Sequence, residues 1–147
     1  MAVLDTEKYL DAVCLMIAEG HRNVPVPVRG VSMRPFLRTG DFAYMIPLPG
    51  KLRRGDIVLF QRENKQYVLH RVWKIRKDGS FLMLGDGQIT PEPVTPEQLR
   101  AKVAFVRCGG EDCRPKSFRW WFFAGPWLVF APWRPQIAKL LALFRKK

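Results

Sequence analysis

The middle of this chain is divided into short runs of β-branched and aromatic residues by turns rich in glycine, proline and aspartate. Runs of this length and composition predict a mostly antiparallel sheet of short strands. The turn signals are Pro49-Gly50, Arg54-Gly55-Asp56 and Asp78-Gly79, and the last is a good hairpin signal. The predicted strands span residues 42–46, 57–60, 67–75, 81–84 and 102–107. The expected fold class is therefore mainly β.

Two amphipathic helices are predicted to flank this sheet region. Apolar residues recur at positions i, i+3, i+4 and i+7, which is the spacing of one helix face. The pattern occurs at Leu10, Val13, Cys14 and Ile17, and again at Ile137, Leu140, Leu141 and Phe144. We divide the 147 residues into an N-terminal helix (1–22), a central domain (23–107) and a basic, tryptophan-rich tail carrying the C-terminal amphipathic helix (108–147).

Residues 24–28 alternate valine with proline. Proline has no backbone N–H and cannot donate to a strand ladder, so this pattern predicts an extended segment at the edge of the sheet. The segment directly precedes the residues discussed next.

Positive charge and tryptophan are concentrated near the C-terminus. The formal net charge is +12, and four of the five tryptophans follow residue 107. Indole rings and long basic side chains are favoured at a membrane interface, so residues 120–147 are predicted to make peripheral membrane contact. The alternative is a solvated basic helix packed on the core or on a partner protein. The uncharged run 120–133 is too short to cross a membrane, which needs about 20 apolar residues.

The N-terminal residues and the cysteines indicate a compartment. Acidic residues interrupt the first helix, so we expect neither a signal peptide nor an anchor there. Three cysteines cannot all pair within one chain, which favours a reducing environment. The expected location is the cytoplasm, peripheral to the inner membrane face if the tail binds lipid.

Ser32 is the clearest candidate for a reactive residue. Gly30 before it and Pro35 after it predict a tight, non-helical turn that exposes both the hydroxyl and the backbone N–H. A nucleophile benefits from such a turn, because the attacking oxygen and an oxyanion donor must reach one carbonyl group. A serine in a glycine- and proline-rich turn is, taken alone, more often only a turn residue.

Four sequence boxes resemble those of the type I signal peptidase and SOS-repressor peptidase superfamily, and they occur in the same order. The boxes are Gly30-x-Ser32-Met33-x-Pro35-x-Leu37-x-x-Gly40-Asp41, Arg54-Gly55-Asp56-Ile57-Val58, His70-Arg71-Val72 and Gly85-Asp86-Gly87. The resemblance implies an antiparallel β catalytic domain and a serine endopeptidase that processes a peptide or protein precursor. No cofactor or metal is expected.

The resemblance also implies roles for individual residues. Ser32 would be the nucleophile, and His70 would replace the usual lysine base, as in the archaeal and endoplasmic-reticulum branch. Histidine has an unperturbed pKa of about 6.5 and is already partly neutral at physiological pH. Asp86 would orient His70, with Glu92 as the alternative acceptor. Gly87 departs from the asparagine that is usual in this box.

Substrate contacts and structural roles are assigned to other box residues. Val26, Val28 and Met33 are expected to contact substrate, with Val26 and Val28 on the docking edge for an extended peptide and Met33 packed under the nucleophile. Asp41 and Asp56 are expected to accept backbone N–H groups in tight turns.

Two other functions are weighed against the peptidase. The first is an inactive peptidase fold that only binds extended peptides or the membrane surface. The second is a nucleic-acid-binding protein, which we do not expect because the aromatic residues cluster in one tail and no nucleic-acid motif is present. The chain lacks the membrane spans of signal peptidases and the DNA-binding domain of repressors, so it is expected to act as a stand-alone catalytic domain of unknown oligomeric state.

Overall fold

A computed structural model describes residues 2–145, with side chains described for residues 7–144. The helices are α1 (Ala2–Ala18), α2 (Phe118–Ala124), α3 (Pro126–Val129) and α4 (Arg134–Arg145), with 3₁₀ turns at Pro96–Gln98 and Ala131–Trp133. The strands are β1 (Val24–Pro27), β2 (Phe42–Ile46), β3 (Ile57–Gln61), β4 (Tyr67–Ile75), β5 (Phe81–Leu84), β6 (Glu92–Val94), β7 (Leu99–Cys108) and β8 (Glu111–Cys113).

The strands of the described residues form one sheet in the order β1-β2-β7-β3-β4-β5-β6, with β8 paired to β7. Every pairing in it is antiparallel. The prediction of a mainly β, antiparallel fold is therefore confirmed. The predicted edge segment is also confirmed, because β1 pairs only with β2.

Most predicted strands match the observed ones closely. The bounds of β2, β4 and β5 agree with the prediction, while β3 is one residue longer and β7 extends from Leu99 to Cys108. The short strands β6 and β8 were not predicted. The hairpin at Asp78-Gly79 is confirmed, since Gly79 has a φ of +89° and the Arg76 N–H donates to Ser80 O at 2.9 Å.

The two faces of the sheet bury separate apolar clusters. On one face α1 contributes Val13 and Ile17, which pack with β1 and the loop that follows it. On the other face the cluster includes Val58 and Phe60 of β3 together with Val72 of β4. Because side chains alternate along a strand, consecutive residues of β4 belong to different clusters.

The C-terminal segment packs on the sheet at several points. Trp120 of α2 is buried, and its ring lies edge-on to Phe36 with 5.5 Å between ring centroids. Leu128 and Ala131 are buried against Leu84 at the end of β5. Among the described helices, none combines the length and the apolar character that crossing a membrane requires.

Candidate active site

Ser32 lies in the loop between β1 and β2. At the base of this loop the Val28 N–H donates to Asp41 O at 2.8 Å, and the Gly40 N–H donates to Val28 O at 3.2 Å. Gly30, with a φ of +84°, lets the chain turn away from the sheet. Ser32 is half-buried, and within residues 2–145 its backbone N–H donates no hydrogen bond. That N–H is therefore free to bind a developing oxyanion.

The Gly85-Asp86-Gly87 box packs directly against this loop. The Gly87 N–H donates to Ser32 O at 2.9 Å, which fixes the peptide after Ser32. A Cβ on Gly85 would lie 2.3 Å from Ser32 O, and one on Gly87 would lie 2.9 Å from Arg34 O. Both glycines are required by close backbone approach. This accounts for the glycine at position 87.

His70 lies in β4 opposite Val58 of β3, and its side chain is 1% exposed. Its ring is 5.8 Å from the Phe60 ring, centroid to centroid. Burial lowers the pKa of His70 to about 4, and the nearby Glu92 carboxylate only partly opposes this effect. His70 is therefore neutral at physiological pH, as a general base must be. Its Nδ1 atom is buried and has no hydrogen-bond partner among the described residues.

Ser32 and His70 line the same cavity, which has a volume of about 390 Å³. A Cβ on Gly85 would lie 3.1 Å from His70 Cδ2 as well as 2.3 Å from Ser32 O, so the Ser32 loop and the His70 ring meet over this glycine. The Cδ2 atom of the imidazole therefore lies near Ser32 O across Gly85. In the part of the chain described, no hydrogen bond joins the two side chains.

Asp86 is fully buried, and both oxygens of its carboxylate share the Arg71 Nε–H in a bifurcated hydrogen bond, with N···O distances of 2.9 and 3.1 Å. Arg71 is also buried, and its guanidinium lies over the Phe36 ring, 4.7 Å from the centroid. The expected hydrogen bond from the His70 N–H to the Asp86 carboxylate is absent from the described residues. The physical reason is strand alternation: Arg71 and His70 are adjacent in β4 and project from opposite faces.

Glu92, the alternative acceptor, is also engaged elsewhere. Arg62 Nε and Nη2 each donate to its carboxylate at 2.7 Å. The pair is partly exposed and lies close enough for both charges to act on His70. Neither carboxylate thus orients the imidazole by a direct hydrogen bond in the described residues.

The expected substrate-contacting residues line the cavity. Val26, Val28 and Met33 are each buried and contribute to its wall. Met33 packs in the cluster below the Ser32 loop, as expected. Residues 66–70, at and just before the start of β4, also line the cavity, and the sequence had not assigned them to substrate.

The open edge of β1 offers few donors. Val28 directs its N–H and its carbonyl toward the β2 side. By alternation along the strand, the backbone carbonyls of Pro25 and Pro27 point away from β2. Neither proline has an N–H, and the Tyr9 hydroxyl already donates to Pro25 O. The docking edge expected at residues 24–28 can therefore accept hydrogen bonds from a peptide but donates none at these two positions.

The start of β4 offers both donors and acceptors. The Val72 N–H donates to Asp56 O at 2.8 Å, so the even-numbered residues of β4 direct their backbone N–H and carbonyl groups toward β3. Tyr67 and Leu69 then direct their backbone groups to the opposite side, where β5 pairs only from Arg71 onward. Both residues line the cavity. The alternating direction of backbone groups along β4 was predictable from the sequence. The free edge itself was not, because it also depends on where β5 stops pairing with β4.

The structural roles predicted for two aspartates are confirmed. Asp41 accepts the Arg38 N–H at 2.9 Å, and Asp56 accepts the Arg53 N–H at 2.8 Å. Over the described residues, no group of three or more His, Cys, Asp or Glu side chains could hold a metal ion.

Comparison of this chain with family models, with curated proteins and with solved structures finds no match in any of the three. The assignment of function therefore depends on the sequence boxes and on the geometry of Ser32, His70 and their cavity.

Proposed function

We propose that this protein is a serine endopeptidase of the signal-peptidase type, in which Ser32 and His70 act as nucleophile and general base. One observation carries the proposal: Ser32 and His70, 38 positions apart in the sequence, line one cavity, and His70 Cδ2 lies near the Ser32 loop across Gly85. The order of the four boxes along an antiparallel sheet supports a signal-peptidase-like fold.

The chemistry is acyl transfer. His70 Nε2 accepts the proton of Ser32 Oγ while that oxygen attacks a peptide carbonyl, and the Ser32 N–H donates to the resulting oxyanion. The imidazolium then gives its proton to the leaving amine, and the acyl-enzyme forms. Water, deprotonated by His70, attacks the ester and releases Ser32. Because no hydrogen bond joins the two side chains in the described residues, Ser32 Oγ and His70 must come within hydrogen-bond distance when substrate binds.

The cavity favours an extended peptide with small apolar side chains. The free N–H and carbonyl groups of Tyr67 and Leu69 can form a strand ladder with the peptide, while Pro27 O accepts from its other side. Val26, Val28 and Met33 form an apolar wall that leaves space for small residues. The three cysteines are free, which supports a reducing location such as the cytoplasm.

A cleavage assay with a library of small-residue peptides tests the proposal. We expect Ser32→Ala and His70→Ala each to reduce cleavage by a similar factor of several orders of magnitude, with melting temperatures that show intact folding. Ser80→Ala and His21→Ala are matched controls in a hairpin turn and an exposed loop, and both should cleave normally. Cleavage by Ser32→Ala equal to that of the parent would end the hydrolase assignment.

One observation favours the alternative function, an inactive fold that binds extended peptides. His70 Nδ1 has no hydrogen-bond acceptor among the described residues, so no group there stabilises an imidazolium by direct contact. If the protein is a pure binder, the parent chain and Ser32→Ala should hold library peptides equally well, and neither should release products. If it is a peptidase, Ser32→Ala should bind the same peptides without cleaving them, while the parent chain releases products.

A further inference from the structure

The C-terminal segment exposes large apolar side chains that the sheet leaves uncovered. Phe118 is 76% exposed, Trp121 56%, Phe130 49% and Trp133 55%, and on α4 Leu140 and Leu141 are 55% and 54% exposed. We call these six residues the C-terminal aromatic surface. A soluble protein rarely exposes so many large apolar groups within one short segment unless they contact a partner.

The amphipathic face predicted for α4 does not pack on the sheet. Leu140 and Leu141 are more than half exposed, and so is Phe144 at 67%. Only Ile137 of the predicted face is partly buried. The simpler interpretation of this helix, in which its apolar face covers the core, is therefore wrong for the described residues.

The charge of this segment has one sign. No aspartate or glutamate follows Asp112, whereas eight lysines and arginines do. Lys116 and Lys139 are exposed, so their ammonium groups are available to an anionic surface. A segment that combines exposed indole and phenyl rings with exposed basic side chains has the composition that partitions into the headgroup region of a bilayer.

The aromatic surface is held firmly on the protein body. Trp127 Nε1 donates to Asp86 O at 2.7 Å, and buried Arg134 donates to Gly85 O at 2.8 Å and to Gln88 O at 2.6 Å. These bonds attach the segment to the Gly85-Asp86-Gly87 box, which packs against the Ser32 loop. The exposed rings are thus presented by a packed platform, which limits the entropy lost when they bind.

We propose that the C-terminal aromatic surface docks on an anionic lipid bilayer, with α4 lying in the interface. The twelve residues of α4 are too few to span the hydrocarbon core but suffice for an interfacial helix. The single sign of charge favours anionic headgroups over a neutral protein surface. The aromatic side chains favour a bilayer over nucleic acid, since they are clustered with leucines and do not alternate with basic residues on strands.

Vesicle co-sedimentation with the full chain tests this proposal. We expect binding to phosphatidylcholine vesicles that contain phosphatidylglycerol, much weaker binding to phosphatidylcholine alone, and loss of affinity as salt is added. Trp121→Ser combined with Trp133→Ser should weaken partitioning by about tenfold or more. Leu48→Ser combined with Ile75→Ser removes exposed apolar residues elsewhere and should leave binding unchanged.

A second double variant tests the contribution of charge, so the outcome does not depend on the tryptophan variant folding correctly. Lys116→Glu combined with Lys139→Glu leaves the aromatic residues in place and should selectively reduce binding to anionic vesicles. All measurements are made in the Ser32→Ala background, so the result is independent of peptidase activity. Vesicle binding that neither variant weakens, or no vesicle binding at all, would overturn the proposal. So would tight binding of polyuridylate without vesicle binding, or a stable dimer in light scattering that occludes the surface.

Discussion

His70 and Arg71 are neighbours in β4, yet their side chains lie in opposite kinds of environment. Arg71 is fully buried and donates to the Asp86 carboxylate and to Gly55 O at 2.8 Å. His70 is just as inaccessible as a residue, but it lines a cavity and its Nδ1 has no partner in the described part of the chain. One face of the strand carries a buried ion pair, and the other carries a buried, neutral histidine that lines a cavity.

The two neighbouring residues therefore differ in what they can contribute: Arg71 can stabilise the fold through its ion pair, and His70 is available for the proposed reaction. A buried carboxylate paired with arginine is bound to its structural role, because removing either charge leaves the other unpaired at low dielectric. A neutral histidine beside a cavity is not part of an ion pair, so replacing it leaves no buried charge unpaired. Asp86 therefore has a structural role beside the Ser32 loop, and under the proposed function the proton transfer is left to His70.

The largest expected effect comes from breaking the buried pair. Asp86→Asn leaves the Arg71 charge without its carboxylate, and we expect the free energy of unfolding to fall by about 3–5 kcal/mol. Urea denaturation measures this loss. Glu92→Gln is the control, because the partly exposed Arg62–Glu92 pair should contribute about 1 kcal/mol or less. Equal losses in the two variants would contradict the contrast between the faces.

The next effect is a pH dependence of stability that originates at His70. Burial lowers its folded pKa to about 4 from an ordinary value of 6.5, so the unfolded chain binds more protons between these values. Stability is fully present above pH 6.5 and is lost as the pH falls toward 4, by about 3 kcal/mol. Denaturation curves across this range should show that slope.

The same measurement on variants identifies the group responsible. His70→Gln should remove most of the difference between pH 6.5 and pH 4, whereas His21→Gln, which changes an exposed histidine, should retain it. A slope that is the same in all three proteins would mean that His70 is not buried in its neutral form.

A smaller loss of stability is expected from Gly85→Ala. The new methyl group would lie 2.3 Å from the Ser32 carbonyl oxygen, so the loop must move, at a cost of about 1–3 kcal/mol. Because the displaced atom belongs to Ser32, we expect kcat/KM for peptide cleavage to fall even under conditions in which Gly85→Ala remains fully folded. Gly50→Ala is the control, since nothing lies within 4 Å of a Cβ there and its φ is not positive. Full activity in Gly85→Ala would show that the loop contact is dispensable.

Much of the sheet could be predicted because its strands are bounded by clear turns. β4 and β5 were delimited correctly by the Asp78-Gly79 hairpin and by apolar runs on either side of it. The strand β6 was missed because prolines at 91 and 93 resemble an irregular connection, although an edge strand tolerates them. Helices α2 and α3 were missed because an almost uniformly aromatic run has no helical period.

The candidate site was predictable only in part. Ser32 and His70 were identified from the order of the boxes, and both line the cavity. The partner of Asp86 was not identified, because its hydrogen bond with Arg71 depends on which face of the sheet each β4 side chain projects from. A signal was nevertheless present: adjacent residues in a strand point to opposite sides, so one buried carboxylate could not serve both His70 and Arg71. The bonds from Trp127 and Arg134 to the Gly85-Asp86-Gly87 box join residues more than 40 positions apart and have no local signature.

A double-mutant cycle on peptide cleavage tests most directly whether Ser32 and His70 act as one unit. Ser32→Ala, His70→Ala and the double variant should each lose about the same large factor in kcat/KM, because removing either member of a coupled pair disables both. The double variant should be no worse than Ser32→Ala alone. Losses that multiply in the double variant, or cleavage that survives without the Ser32 hydroxyl, would contradict the account.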